Sequence, residues 1–185
     1  MDLPTGTITF LFTDLEGSTR LWERDAEAMR AALARHDALL RRAFESQGGH
    51  VFKTGGDAFC VAFLRTSDAL AAALAAQLAL ATEPWGDLEP LRARVAIHAG
   101  AAEARDGDYF GPTLNRSARL LAIGHGGQIL LSQTAFDLVR DALPSDVGLR
   151  ELGSHRLKDL QRSEPVFQLV HPQLATDFPP LRSLD

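Results

Sequence analysis

Cysteine is nearly missing from this chain. Cys60 is the one thiol in 185 residues, which excludes a disulfide framework and a thiolate-held structural zinc. A chain of this length needs neither, because a single core can bury about two thirds of its unfolded surface. Basic charge is also short: 19 Lys and Arg stand against 24 Asp and Glu, a net charge of −5, without the positive face that broad nucleic-acid binding requires. Long apolar runs are lacking as well. Ile8 to Phe12 is too short for a signal core or a membrane span, and Ala69 to Ala81 is Ala-rich and interrupted by Gln77, as suits a buried helix. Neither internal repeats nor low-complexity tracts occur. What is left is one soluble, cytoplasmic domain with no nucleic-acid or membrane partner, for which a small anionic ligand stays open.

Thr7 to Thr13 has the β-branched and aromatic pattern of a strand, with Ile8, Phe10, Phe12 and Asp14 in one phase. Helix-start chemistry follows at Glu16, Gly17, Ser18 and Thr19. A long helical period then runs through Trp22, Met29, Leu33, Leu40 and Phe44 to Gly48-Gly49. Gly55-Gly56 reads as the turn of a hairpin between HVFKT and DAFCVAF, pairing Thr54 with Asp57. Thr66, Ser67 and Asp68 are positioned to cap a helix running to Thr82, and Arg92 to Gly100 reads as a strand. The order β, α, β, β, α, β predicts an α+β fold with a ferredoxin-like core, its helices on one face. An αβαββ extension follows: a helix over Thr113–Ile123, a strand over Gln128–Ser132, a helix over Thr134–Ala142, and strands near Leu149–Leu157 and Val166–Val170. Residues 1–170 form the domain, and 171–185, with Pro172, Pro179 and Pro180, read as a tail or linker.

Asp14 and Asp57 fall at strand ends beside loops. They serve either as a turn and a capping carboxylate, or, since the first and third strands are neighbours in this fold, as two ligands to one divalent ion. The predicted register puts Asp57 on the face of Phe59, Val61 and Phe63, and Lys53 on the opposite one. Asn115 and Arg119 lie four apart on one face of a short helix whose apolar side is Leu114, Ala118 and Leu121. Such a pair is suited to a sugar and a phosphate, or is an ordinary helix-surface pair. The Gly17-Ser18-Thr19 turn is an ordinary helix start or a place where free N–H groups hold phosphate.

Taken together and in order, FLFTDLEGSTRLWE from Phe10, KTGGDAFCVAF from Lys53, RVAIHAG from Arg94 and DYFGPTLNRSARL from Asp108 strongly resemble the catalytic domain of class III nucleotidyl cyclases, over residues 6–170. The resemblance implies that Asp14, Asp57 and Leu15 hold two Mg²⁺ or Mn²⁺ ions per active site. It further implies that Lys53 and Asp108 read adenine, and that Leu15, Glu16, Gly17, Ser18 and Thr19 form the phosphate loop. Asn115 then orients the ribose and Arg119 steadies the transition state, while Lys158 contacts the terminal phosphates. Ala58 and Ala96 stand where the family often has Gly. The implied enzyme is an adenylate cyclase making 3′,5′-cyclic AMP and pyrophosphate from ATP, a head-to-tail homodimer with two shared sites. His98, placed in a strand, reads as structural. The alternatives are a non-catalytic ATP-binding regulatory module and, lower in rank, a guanylate or diguanylate cyclase; against the last, Ala58 replaces the acidic residue of its GGDEF turn. FPPLRSLD, from Phe178, resembles the junction that precedes a C-terminal signalling ATPase domain in longer bacterial proteins.

Overall fold

Strand β1 (Gly6–Leu15) is apolar on both sides, with Ile8, Phe10 and Phe12 buried on one face and Leu11 and Leu15 on the other. A strand of that pattern belongs inside a sheet covered on both faces. The computed structural model describes residues 3–184; Met1, Asp2 and Asp185, which bound the expected domain and tail, lie outside the described residues.

After β1 come α1 (Ser18–Arg24), α2 (Ala26–Glu45), β2 (His50–Gly55), β3 (Ala58–Phe63), α3 (Thr66–Thr82) and β4 (Ala93–Arg105). Strands β2, β3, β1 and β4 lie side by side in that order, antiparallel throughout, which is the expected ferredoxin-like core. β5 (Asp108–Phe110) folds back on the far end of β4, a short hairpin that the sequence pattern did not reveal. α4 (Pro112–Ala122), β6 (Ile129–Ser132), α5 (Gln133–Val139), β7 (Gly148–Arg156) and β8 (Ser163–Val170) complete the sheet in the order β2-β3-β1-β4-β6-β8-β7. Helices α2, α3 and α5 cover the Leu11 face, so the core helices share one side as expected. Helix α4 covers the Phe10 face, where the Phe10 ring meets Phe12, Phe52 and Tyr109 edge-on at 5.1 to 6.4 Å.

Several local expectations are corrected. The single long helix is two, because Asp25 turns extended (φ −158°), ends α1, and caps α2 by accepting the Ala28 N–H at 3.0 Å. Such a cap is worth about 1 kcal/mol, and the apolar period runs through it without a mark. In the hairpin Gly55 pairs with Ala58 and Thr54 with Phe59, so the turn residues are Gly56 and Asp57, with Gly56 left-handed at φ 58°. Asp57 is therefore at the turn and not on the strand face of Phe59. A register shift between Val51 and Lys53 then sets Lys53 opposite Cys60. Thr66, Ser67 and Asp68 do not cap α3. Arg65 holds the cap position without a side-chain bond, while the Thr66 hydroxyl bonds the buried Thr9 hydroxyl at 2.7 Å. On α4 the buried positions are Ser117, Leu120 and Leu121, and Ala118 is exposed. No helix among the described residues is long and apolar enough to cross a membrane.

His98, in β4, is structural: its ring Nδ1 lies 2.7 Å from the Ser132 hydroxyl, deep in the core. Burial, with repulsion from Arg116 added, lowers its pKa from 6.5 to about 4, and burial lowers that of His36 as well. On acidification from 6.5 the unfolded chain binds protons that the folded chain refuses. Stability therefore falls as pH drops through the window down to about 4, on account of His98 by about 3 kcal/mol at ~1.4 kcal/mol per pK unit. Urea midpoints should drop between about pH 7 and about pH 4.5, and less steeply in His98→Gln; an unchanged slope in that variant would remove His98 from the account.

Candidate active site

β1 ends at Asp14 and Leu15, and antiparallel pairing with β4 places Arg94 directly opposite Asp14. The Arg94 guanidinium takes both carboxylate oxygens, Nε donating to Oδ1 at 2.6 Å and Nη2 to Oδ2, while Nη1 donates to the Ala122 carbonyl at 3.2 Å. Bonding to Asp14 raises the pKa of Arg94 further, so this cation is permanent. At the tip of the β2–β3 hairpin, Asp57 accepts the Leu15 N–H at 3.3 Å. Asp14 and Asp57 thus lie on either side of Leu15, Asp57 by way of a turn residue and not from the strand face that the sequence register predicted.

Beyond Leu15 the chain turns at Gly17, whose φ of 70° places it in the left-handed region, and α1 begins at Ser18. Glu16 is partly exposed but tethered: its N–H donates to the Arg92 carbonyl at 3.0 Å and its carboxylate is held by Gly126 and Arg182. Among the described residues no three His, Cys, Asp or Glu side chains gather into a metal cage. Two carboxylates beside a strand-end carbonyl are instead a partial, all-oxygen donor set, of the kind that Mg²⁺ or Mn²⁺ completes with phosphate oxygens and water. The residues present fit such an ion.

A second group lies across β2, β5 and α4. Lys53 Nζ is 3.2 Å from Asp108 Oδ2, and Asp108 Oδ1 accepts the Tyr109 N–H at 2.7 Å. Lys53, Asp108, Phe110, Leu114 and Asn115 line a depression of about 500 Å³. Asn115, Arg119, Lys158 and Asp159 line an adjoining one of about 300 Å³, where Arg119 Nη2 donates to Asp159 at 2.7 Å. Asn115 belongs to both, so base-reading, sugar-reading and phosphate-reading candidates form one continuous wall along α4. Neither depression includes Asp14 or Asp57.

Sequence reasoning left three participants without a role. Arg94 was legible, since it stands opposite Asp14 once β1 and β4 are paired in register. Asp159 and Arg182 were not, because nothing in local pattern ties them to Arg119 or Glu16. A compositional signal went unread too: Asn115 is the only asparagine, and Lys53 and Lys158 the only lysines, of the chain.

The adenylate and guanylate cyclase catalytic-domain family model matches residues 2–167. An uncharacterized protein of Mycobacterium tuberculosis is 44% identical over 182 residues, which is 97% of this chain and 61% of the relative; this chain thus spans about six tenths of that protein's length. The solved structure of an adenylate cyclase from Trypanosoma brucei, in its monomeric state, superposes with a TM-score of 0.86 at 25% identity, covering 97% of this chain and 95% of that one. The guanylate cyclase domain of a Catenaria anguillulae protein, solved with GTP, shares the fold with a TM-score of 0.76 at 16% identity, covering 89% and 96%.

Cys60, opposite Lys53, supplies a check on the packing around the Lys53–Asp108 pair. Burial pushes its thiol up to about 11, against the pull of the Lys53 ammonium. Alkylation by iodoacetamide should be slow near neutral pH and climb about tenfold per pH unit to pH ~10 without a plateau; levelling near an ordinary thiol pKa of ~8.5 would contradict this packing.

Proposed function

Because this chain belongs to the adenylate and guanylate cyclase catalytic-domain family, we propose that it is an adenylate cyclase, closing ATP to 3′,5′-cyclic AMP with release of pyrophosphate. The observation that carries the choice of base is the Lys53–Asp108 pair at 3.2 Å in the depression that Asn115 shares. An adenine edge offers an acceptor at N1 and a donor at its exocyclic amine, which answer an ammonium and a carboxylate respectively. A guanine in the same pose sets N1–H against the ammonium and O6 against the carboxylate, and both contacts repel. A site built on such complementary groups discriminates by about 10²-fold or more.

The other roles follow from the wall. Asn115 hydrogen-bonds the ribose and holds the 3′-hydroxyl near the α-phosphate. Arg119 exchanges Asp159 for the non-bridging oxygens of that phosphate, where negative charge accumulates as the new bond forms. Lys158 and the turn from Leu15 to Thr19 receive the remaining phosphates. Asp14, Asp57 and the Leu15 carbonyl would hold the divalent ions. Bound there, such ions lower the pKa of the hydroxyl and neutralise the leaving pyrophosphate.

The carboxylate pair and the α4 wall are separate surfaces of one chain, each half a site. We infer a head-to-tail homodimer in which the Asp14–Asp57 surface of one protomer faces the Lys53–Asp108–Asn115–Arg119 surface of its partner. The FPPLRSLD junction supports attachment of a signalling domain in a longer protein.

Three experiments follow. Purified chain with ATP or GTP, in Mg²⁺ or Mn²⁺, should give cyclic AMP from ATP at a rate at least ~10²-fold above cyclic GMP from GTP. Arg119→Ala should lose about 10²- to 10³-fold in kcat with little change in KM. Nucleotide binding without a cyclic product would convert the assignment to a regulatory module. Mixing inactive Asp57→Ala and Asn115→Ala chains should restore about a quarter of full activity, since half the dimers are mixed and each carries one intact site. No recovery in mixtures shown to contain heterodimers would count against the shared site.

A further inference from the structure

Glu16 sits two residues beyond Asp14, and its carboxylate is seated from two directions. Oε2 accepts the Gly126 N–H at 3.1 Å, and Oε1 accepts from Arg182 Nη2 at 2.9 Å. The seat is shaped for this side chain: a Cβ added at Gly126 would lie 2.6 Å from Glu16 Oε2 and 2.7 Å from the Arg92 side chain. Gly126 is therefore a glycine because Glu16 packs against it.

Arg182 belongs to a strap, residues 178–184, that has no regular structure and yet is pinned along its length. Phe178 packs on Gly127, and the Pro180 carbonyl accepts from His125 Nε2 at 2.9 Å. The Arg182 N–H donates to the Ile123 carbonyl at 3.0 Å and the Leu184 N–H to the Arg156 carbonyl at 3.1 Å. The receiving turn, residues 122–127, also supplies the Ala122 carbonyl that anchors Arg94, the partner of Asp14. One turn thus carries the strap, the Glu16 seat and the support of Asp14.

We propose that Arg182 is a positioning residue for nucleotide binding: clamped by the strap, it fixes and neutralises Glu16, and so holds the Asp14–Thr19 turn in the geometry that receives the metal-bound triphosphate. This rests on the functional assignment of that turn made above. Without Arg182, the Glu16 carboxylate keeps the Gly126 N–H and the nearby His125 ring but loses its guanidinium partner, so its less compensated charge two residues from Asp14 repels the polyphosphate and competes for its cation, and the turn is held by one side-chain contact fewer. The ion pair is half-exposed, so the effect is several-fold and not all-or-none.

The test uses Arg182→Ala, Arg182→Lys and Glu16→Gln in the full 185-residue chain. Hydrogen exchange of the peptide spanning Leu15 to Arg20 should speed up about fivefold in Arg182→Ala and return toward the parent rate in Arg182→Lys, which keeps a donor. KM for the metal–ATP complex should rise about three- to tenfold with kcat within about twofold. In a Glu16→Gln background Arg182→Ala should add little, because both substitutions break the same contact. Unchanged exchange in the turn, a loss of protection spread over the whole chain, or fully additive effects of the two substitutions would each overturn the proposal. If the parent chain turns over neither nucleotide, the cyclase assignment fails, and the exchange result still decides whether the clamp exists.

Discussion

The register between β1 and β4 is the constraint on which the rest of the structure depends. Ten consecutive residue pairs, Gly6 with Ala102 through Leu15 with Ala93, tie the two strands in the middle of the sheet, with cores packed against both faces. Side chains alternate with a period of two, so a slip by a single residue would carry Ile8, Phe10 and Phe12 to the face covered by α2, α3 and α5. It would also carry Asp14 away from Arg94 and from the α4 face. The central pairs, Ile8 to Thr13, are buried and shielded from competing water.

How much of this was legible follows from how local the responsible physics is. The ferredoxin-like core could be read because strand and helix periods are set by neighbours in sequence, and the Gly55–Asp57 region announced a turn. The choice between Gly55-Gly56 and Gly56-Asp57 as turn residues was not local. It depends on where β3 docks against β1, with Thr13 opposite Phe59, and on the register shift before Lys53. Asp25 was hidden for a different reason: a cap that interrupts an unbroken apolar period changes two dihedral angles and leaves composition untouched. Docking of 171–184 was hidden because segments rich in proline bind through single carbonyls and side chains, without any period.

At the site, legibility tracked chemistry more than pattern. Asn115 and Arg119 could be placed on one face by spacing alone, while Lys53 and Asp108 meet only because β5 folds back on β4 and brings Asp108 to the hairpin. The chain places its two lysines and its single asparagine along this one wall, while arginine serves nearly everywhere else. Lysine offers a compact ammonium, which suits a single ring nitrogen; guanidinium, a planar fork, suits carboxylate and phosphate.

Asp14, Lys53, Asp108 and Arg119, all proposed to contact ligand, each have an internal counter-ion, and the pairs differ in how hard they are to open. Lys53 is 62% exposed, and Arg119 faces an Asp159 that is 65% exposed, so each pair contributes at most about 1 kcal/mol and yields readily to a nucleotide. Arg94 and Asp14 are only 20% and 22% exposed and joined through two hydrogen bonds, which makes theirs the stronger contact. On the proposed assignment a divalent cation at Asp14 would compete with this resident cation. Arg94 Nη1 also rests on the Ala122 carbonyl, an acceptor it would keep if the carboxylate turned toward a metal.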